Sequence, residues 1–114
     1  MNEEEIMNRL KEVMHPEIDA SLVELGMIKE ARIENDKIKV TMAFPFPGVP
    51  IKYMLMEMVR QALNELGTEI EIEETVMNEE ELQHFFKLEQ ENGNIDLNFL
   101  NYLLTTLFNF IMLL

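Results

Sequence analysis

The alternation in Lys37–Phe44 constrains this chain more than any other stretch. Ile38, Val40, Met42 and Phe44 fall on one side of an extended segment, and Lys37, Lys39, Thr41 and Ala43 fall on the other. A strand of that kind needs a neighbour for its backbone and an apolar layer for one face. Asn35-Asp36 precedes it, and both residues tolerate positive φ, so a tight turn is predicted there. Met27–Glu34 is then the partner strand, though its alternation is imperfect. Glu69–Val76 reads as a third strand, with Ile70, Ile72 and Val76 inward and Glu69, Glu71 and Glu73 in water.

Helical periodicity surrounds these strands. Glu3 to about Met14 predicts a first helix: Asn2 and Glu5 have capping-box spacing, and Ile6, Leu10, Val13 and Met14 form its apolar stripe. His15-Pro16 ends it, because the residue before proline avoids the α region. Ser21 and Glu24 suggest a second capping box over a short turn that Gly26 closes. Pro45 to Pro50 is a stiff loop with three prolines. Pro50 suits the first position of a helix burying Ile51, Met54, Leu55, Met58, Val59, Ala62, Leu63 and Leu66, with Gly67 at its end. A helix links the second and third strands, so these are parallel if they are neighbours, with a right-handed crossover expected. The fold class is α+β in two layers: a small three-stranded mixed sheet with packed helices and a C-terminal helical extension.

Three regions follow: a compact domain over 1–76, an amphipathic helical extension over 77–95 and an apolar, helical tail over 96–114. No charged side chain follows Asp96. The chain as a whole has 22 acidic and 9 basic residues, a net charge of -13. That charge argues against nucleic acid, whose binding needs a basic surface. It equally disfavours anionic lipid. Cysteine is absent, which excludes disulfides, thiolate chemistry and all-cysteine iron–sulfur ligation by this chain. Met1-Asn2-Glu3-Glu4-Glu5 is unlike a secretory leader, so a cytoplasmic location is expected.

Three stretches carry a family resemblance. His15-Pro16-Glu17-Ile18, Ser21 to Ile28 (SLVELGMI) and Val40 to Pro50 (VTMAFPFPGVP) resemble the SufT/PaaD-like iron–sulfur cluster assembly domain, which also precedes the ATPase in Mrp/ApbC-type carriers. The resemblance covers roughly residues 3–76. The family pattern has Asp-Pro-Glu at the first stretch and Thr-Thr-Pro-Gly-Cys-Pro at the loop. This chain has His15 for the aspartate, Pro45 and Phe46 for the threonines and Val49 for the cysteine. A cysteine opening a helix has its pKa lowered by the exposed amides and the dipole; valine cannot ionise or bind a soft metal. The resemblance therefore implies a non-catalytic accessory or adaptor protein working by contact, with no cofactor of its own. Its implied partners are an iron–sulfur scaffold, a carrier ATPase or an apo-target protein. Phe46, Pro47, Gly48 and Val49 form the contact loop, with His15 and Glu17 nearby; Phe85 and Phe86 on the extension helix are a second contact element.

Other chemistry is weaker. His15 and Glu17 suit iron or zinc, but His84 is remote in sequence, so a polar helix terminus is the plainer reading. Ser21 lacks a base and reads as a cap. Alternating glutamates over 69–74 lack an EF-hand's looped ligand set and read as a charged sheet edge. The ten methionines read first as core packing. Asn78 and Glu81 cap the extension helix, whose Phe85 and Phe86 are expected to dock on the domain. In the tail, Asn98, Asn101, Thr105 and Asn109 line up at helical spacing. A helix packed on the domain or between subunits is the favoured reading; a membrane anchor and an unstructured end are the others. The alternative function is thus a structural, homo-oligomer-forming protein that reuses the scaffold, membrane-tethered or not.

Overall fold

The computed structural model describes residues 2–92 and 97–112. Along the chain it has α1 (Glu3–Leu10), β1 (Ile28–Glu34), β2 (Lys37–Phe44), α2 (Lys52–Leu63) with a single 3-10 turn (Asn64–Leu66), β3 (Ile70–Val76), α3 (Glu79–Asn92) and α4 (Leu97–Met112).

The sheet forms as the strand patterns require. Its order is β1-β2-β3. β1 and β2 are antiparallel from Glu34↔Lys37 to Ile28↔Met42, with a register shift between Ile28 and Glu30. That bulge explains the broken alternation of β1, since an extra residue inverts the facing of those beyond it. Asn35 and Asp36 turn the hairpin at φ of 52 and 63°. β2 and β3 are parallel from Ile38↔Ile70 to Phe44↔Val76. The polar face of the sheet carries ion pairs. Arg32 meets Glu34 at 3.0 Å and Glu73 at 3.5 Å, and Lys39 meets Glu34 at 3.3 Å. Hydrogen bonds from Arg32 and then Lys39 hold the Glu34 carboxyl below its usual range.

The helices cover the other face. Ile6 and Leu10 of α1, Ile38, Val40 and Met42 of β2, and Leu55, Val59 and Leu63 of α2 are fully buried together. Burying a Leu or Ile side chain contributes roughly 1.5–3 kcal/mol, so this layer dominates the folding energy. The Arg9–Glu65 pair, 3.3 Å, joins the two helices at the surface.

Several boundaries differ from the sequence expectation. α1 stops at Leu10, because Glu12 N–H and Val13 N–H bond the Arg9 and Leu10 carbonyls in tightening turns. Met14 instead bridges Ser21 and is 44% exposed, so it leaves the stripe. α2 begins at Lys52, not at Pro50; the Lys52 N–H first closes a turn onto the Val49 carbonyl. Its buried seam is narrower than expected, and Met54 is 53% exposed. Val76, expected inward, is 47% exposed at the end of its strand.

α3 docks through Phe85, which joins the common core, while Phe86 points to solvent and touches Phe85 edge-on. Asn78 and Glu81 cap it reciprocally at 2.8 and 3.0 Å. The Asn78 amide and then Lys29 hold the Glu81 carboxyl below its usual range. In α4, Leu104, Leu107, Phe108, Phe110, Ile111 and Met112 are all more than half exposed. Packing of the tail onto the domain is therefore not met at these positions. Among the described residues no helix is long and apolar enough to cross a membrane. Asp96, Leu113 and Leu114, part of the expected tail, lie outside the described residues.

Candidate functional site

The parallel pairing of β2 with β3 defines one end of the sheet. Both strands finish there, and in open α/β arrangements ligands and partners gather beyond the carboxyl ends of parallel strands. Phe44 ends β2 against Val76, and the Phe44 carbonyl accepts from Met77 N–H at 2.8 Å. The loop of residues 45–51 leaves from this point and feeds α2.

Within that loop Pro45 is buried, Phe46, Pro47, Gly48 and Pro50 are exposed, and Val49 packs half-buried against the core. Phe46 is 44% exposed, a large apolar ring offered to solvent. Ile51 caps α2 without a side-chain bond, so the first-turn amides have no side-chain partner. A thiol three residues before that positive helix end could be stabilised as thiolate; the isopropyl group of Val49 carries no charge to be stabilised.

One residue that sequence reasoning passed over holds the loop. Lys52 Nζ donates to the Pro47 carbonyl at 2.7 Å, pairs with Glu74 Oε2 at 3.2 Å and lies 5.5 Å from the centre of the Phe44 ring. Its side chain is 17% exposed. Loop, strand end and β3 are thus tied through a single ammonium. The signal was present in the sequence: a cation in the first turn opposes the helix dipole, so it needs another partner.

His15 and Glu17 sit in the turn that follows α1. His15 Nδ1 accepts from Glu17 N–H at 3.0 Å and from Ile18 N–H at 3.2 Å. An aspartate oxygen accepts in the same way in an Asx turn, so imidazole here substitutes for a carboxylate as a turn cap. Burial pushes the His15 pKa down, in keeping with an acceptor that must stay neutral. With Nδ1 occupied, His15 is a structural group first. This turn adjoins α3: Asp19 N–H bonds the Asn92 carbonyl at 3.0 Å. Burial and then the Glu17 charge push the Glu89 carboxyl up. No hydrogen bond or ion pair joins the His15–Glu17 turn to the 45–51 loop. Of the two phenylalanines, only Phe86 is available at the surface; Phe85 is 5% exposed.

Ser21 caps its turn as expected. Its Oγ accepts from Glu24 N–H at 3.0 Å, and Glu24 Oε1 accepts from Ser21 N–H at 3.2 Å. His84 Nε2 lies 2.8 Å from the Glu24 carbonyl, which fastens α3 to that turn. Among the described residues no three His, Asp or Glu side chains converge in a way that would hold a metal ion.

The profile of a family described as "Iron-sulfur cluster assembly protein" matches residues 3–73, more than half of the sequence. The chain belongs to the iron–sulfur cluster assembly protein family. Its role is therefore related to cluster assembly. Two solved structures share the fold. One is a DUF59 domain, of unknown function, from Bacillus anthracis, at a TM-score of 0.62 and 21% identity, covering 75% of this chain and 90% of that one. The other is a conserved hypothetical protein from Thermotoga maritima, at a TM-score of 0.63 and 22% identity, covering 80% and 93%. No curated protein matches the sequence. The match ends inside β3, so α3 and α4 lie beyond the part that defines this iron–sulfur assembly protein as a family member. The site's chemistry departs from the pattern set out above: Val49 stands at the loop's cysteine position, and the chain has no cysteine elsewhere to replace it.

Proposed function

We propose that this protein serves iron–sulfur cluster assembly as a non-catalytic adaptor, through contact with a scaffold, a carrier ATPase or an apo-target protein. The observation that carries the reading is the retained but thiol-free loop. Lys52 fixes its path, and Val49, half-buried against the core three residues before α2, supplies hydrocarbon in place of a thiol. Phe46, just after β2, and Val76, at the end of β3, are both exposed apolar side chains. Partner contacts favour a desolvated aromatic anchor with a polar rim, and the acidic body provides that rim. Pro47 and Gly48 shape the surface beside Phe46, with Phe86 and Glu17 as outlying contacts. His15 and Phe85 support from within.

The test is anaerobic association of the full chain with purified scaffold and carrier proteins of cluster assembly. Saturable binding to one of them, reduced at least tenfold by Phe46→Glu, is expected. Reconstitution of the isolated chain with iron and sulfide is expected to leave no stoichiometric cluster. A stable cluster with its visible absorption bands on this polypeptide alone, or binding indifferent to Phe46, would overturn the proposal.

A further inference from the structure

The sequence of α4 has an apolar register of its own. Leu97, Leu100, Leu104, Leu107 and Ile111 are spaced 3-4-3-4, and Leu114 continues the series in the sequence beyond the described residues. This is the a/d repeat of a coiled coil, with Leu97, Leu104 and Ile111 at a and Leu100 and Leu107 at d. Leu104, Leu107 and Ile111 are 55, 56 and 56% exposed, so at these described positions the seam is uncovered. The polar residues Asn98, Asn101, Thr105 and Asn109 all fall at b, e or f, off the seam.

We infer that α4 is a self-association helix whose occupant is a second copy of this chain. Three observations select that occupant. The heptad seam is self-complementary, since identical leucine rows interdigitate as knobs into holes. No charged residue lies from Leu97 onward, whereas the chain carries a net charge of -13, so pairing through α4 brings together a stretch that does not repel its own copy. A lipid bilayer fits less well, since Asn98, Asn101, Thr105 and Asn109 would each carry a polar group into hydrocarbon. The helix also has no lysine or arginine to meet headgroups. The inference is independent of the adaptor reading, because the seam lies outside both the family match and the 45–51 loop.

Sedimentation equilibrium of the full chain tests it, with Leu104→Glu/Leu107→Glu as the seam variant and Met112→Glu as an off-seam control. Met112 is the more exposed residue, at 69%, and sits at b beside the polar stripe. The parent and the control are expected to sediment at a defined multiple of 13.4 kDa, and the seam variant at 13.4 kDa with an unchanged melting temperature of the sheet–helix body. Phe46→Glu is expected to leave the mass unchanged, which separates this test from that of the adaptor reading. A monomeric parent, a seam variant that still associates, equal loss in the control, or recovery of the parent bound to phosphatidylcholine vesicles would each overturn the inference.

Discussion

Replacing Lys52 by Met removes the ammonium and keeps most of the aliphatic stem. Three interactions go with it. The bond to the Pro47 carbonyl, 2.7 Å, is charge-assisted, a class that contributes roughly 1.5–3 kcal/mol. The lower end applies, because Pro47 is exposed and water can replace the donor. The pair with Glu74, 3.2 Å, adds only a few tenths of a kcal/mol, since Glu74 is 51% exposed and screened. The contact with the Phe44 ring, 5.5 Å, adds roughly 0.5 kcal/mol. The sum is about 2 kcal/mol, which lowers the melting temperature by roughly 10 °C in a domain of this size. Differential scanning calorimetry at neutral pH reads the loss. Hydrogen exchange at Phe46, Gly48 and Val49 reads the loosened loop. Glu74→Gln alone is expected to cost under about 0.5 kcal/mol. A Lys52→Met loss no larger than that of Glu74→Gln, with unchanged exchange in the loop, would refute the claim that the Pro47 carbonyl bond organises the site.

The other predictions concern the remaining parts of the framework. His15 caps its turn as a neutral acceptor with a lowered pKa. The unfolded chain therefore takes up the proton first, and stability falls as pH drops below the ordinary imidazole value of about 6.5. Denaturant titrations between pH 7.5 and 5.5 should show that loss in the parent and not in His15→Asp, while His15→Ala costs about 1 kcal/mol at pH 7.5. Phe85→Ala should cost about 3–5 kcal/mol by urea unfolding and Phe86→Ala under about 1 kcal/mol, since only Phe85 is buried; equal losses would contradict the docking of α3. Gly48→Ala should be neutral or stabilise by up to about 1 kcal/mol, because nothing lies within 4 Å of the added Cβ. Gly26→Ala, at φ +75°, should destabilise by about 1 kcal/mol in the same thermal melts.

Local rules account for what was legible beforehand. The Lys37–Phe44 strand, the Asn35-Asp36 turn and the capping boxes at Ser21 and Asn78 depend on residues a few positions apart and appear as read, while at Asn2 only the bond from Glu5 N–H to the Asn2 side chain forms and Ala43, expected on the polar side, is buried. The mixed sheet and the family membership were likewise legible, because they rest on element order and on scaffold residues. The roles of single site residues were less so. His15 looked like a ligand candidate, but its Nδ1 serves two amides within three residues. Phe85 and Phe86 look equivalent as neighbours, yet 100° of helix rotation buries one and exposes the other. The heptad of α4 was present in the letters, and the fold adds that Leu104, Leu107 and Ile111 are left uncovered.

Pattern and turn chemistry, being local, settled the elements, the absence of a thiol and the acidic character of this chain without reference to the fold. The union of Phe44, Pro47, Lys52 and Glu74 needed distant stretches to meet. Parallel pairing and an intervening helix bring Glu74 within 3.2 Å of an ammonium that lies 22 positions earlier in the sequence, and no local preference encodes that distance.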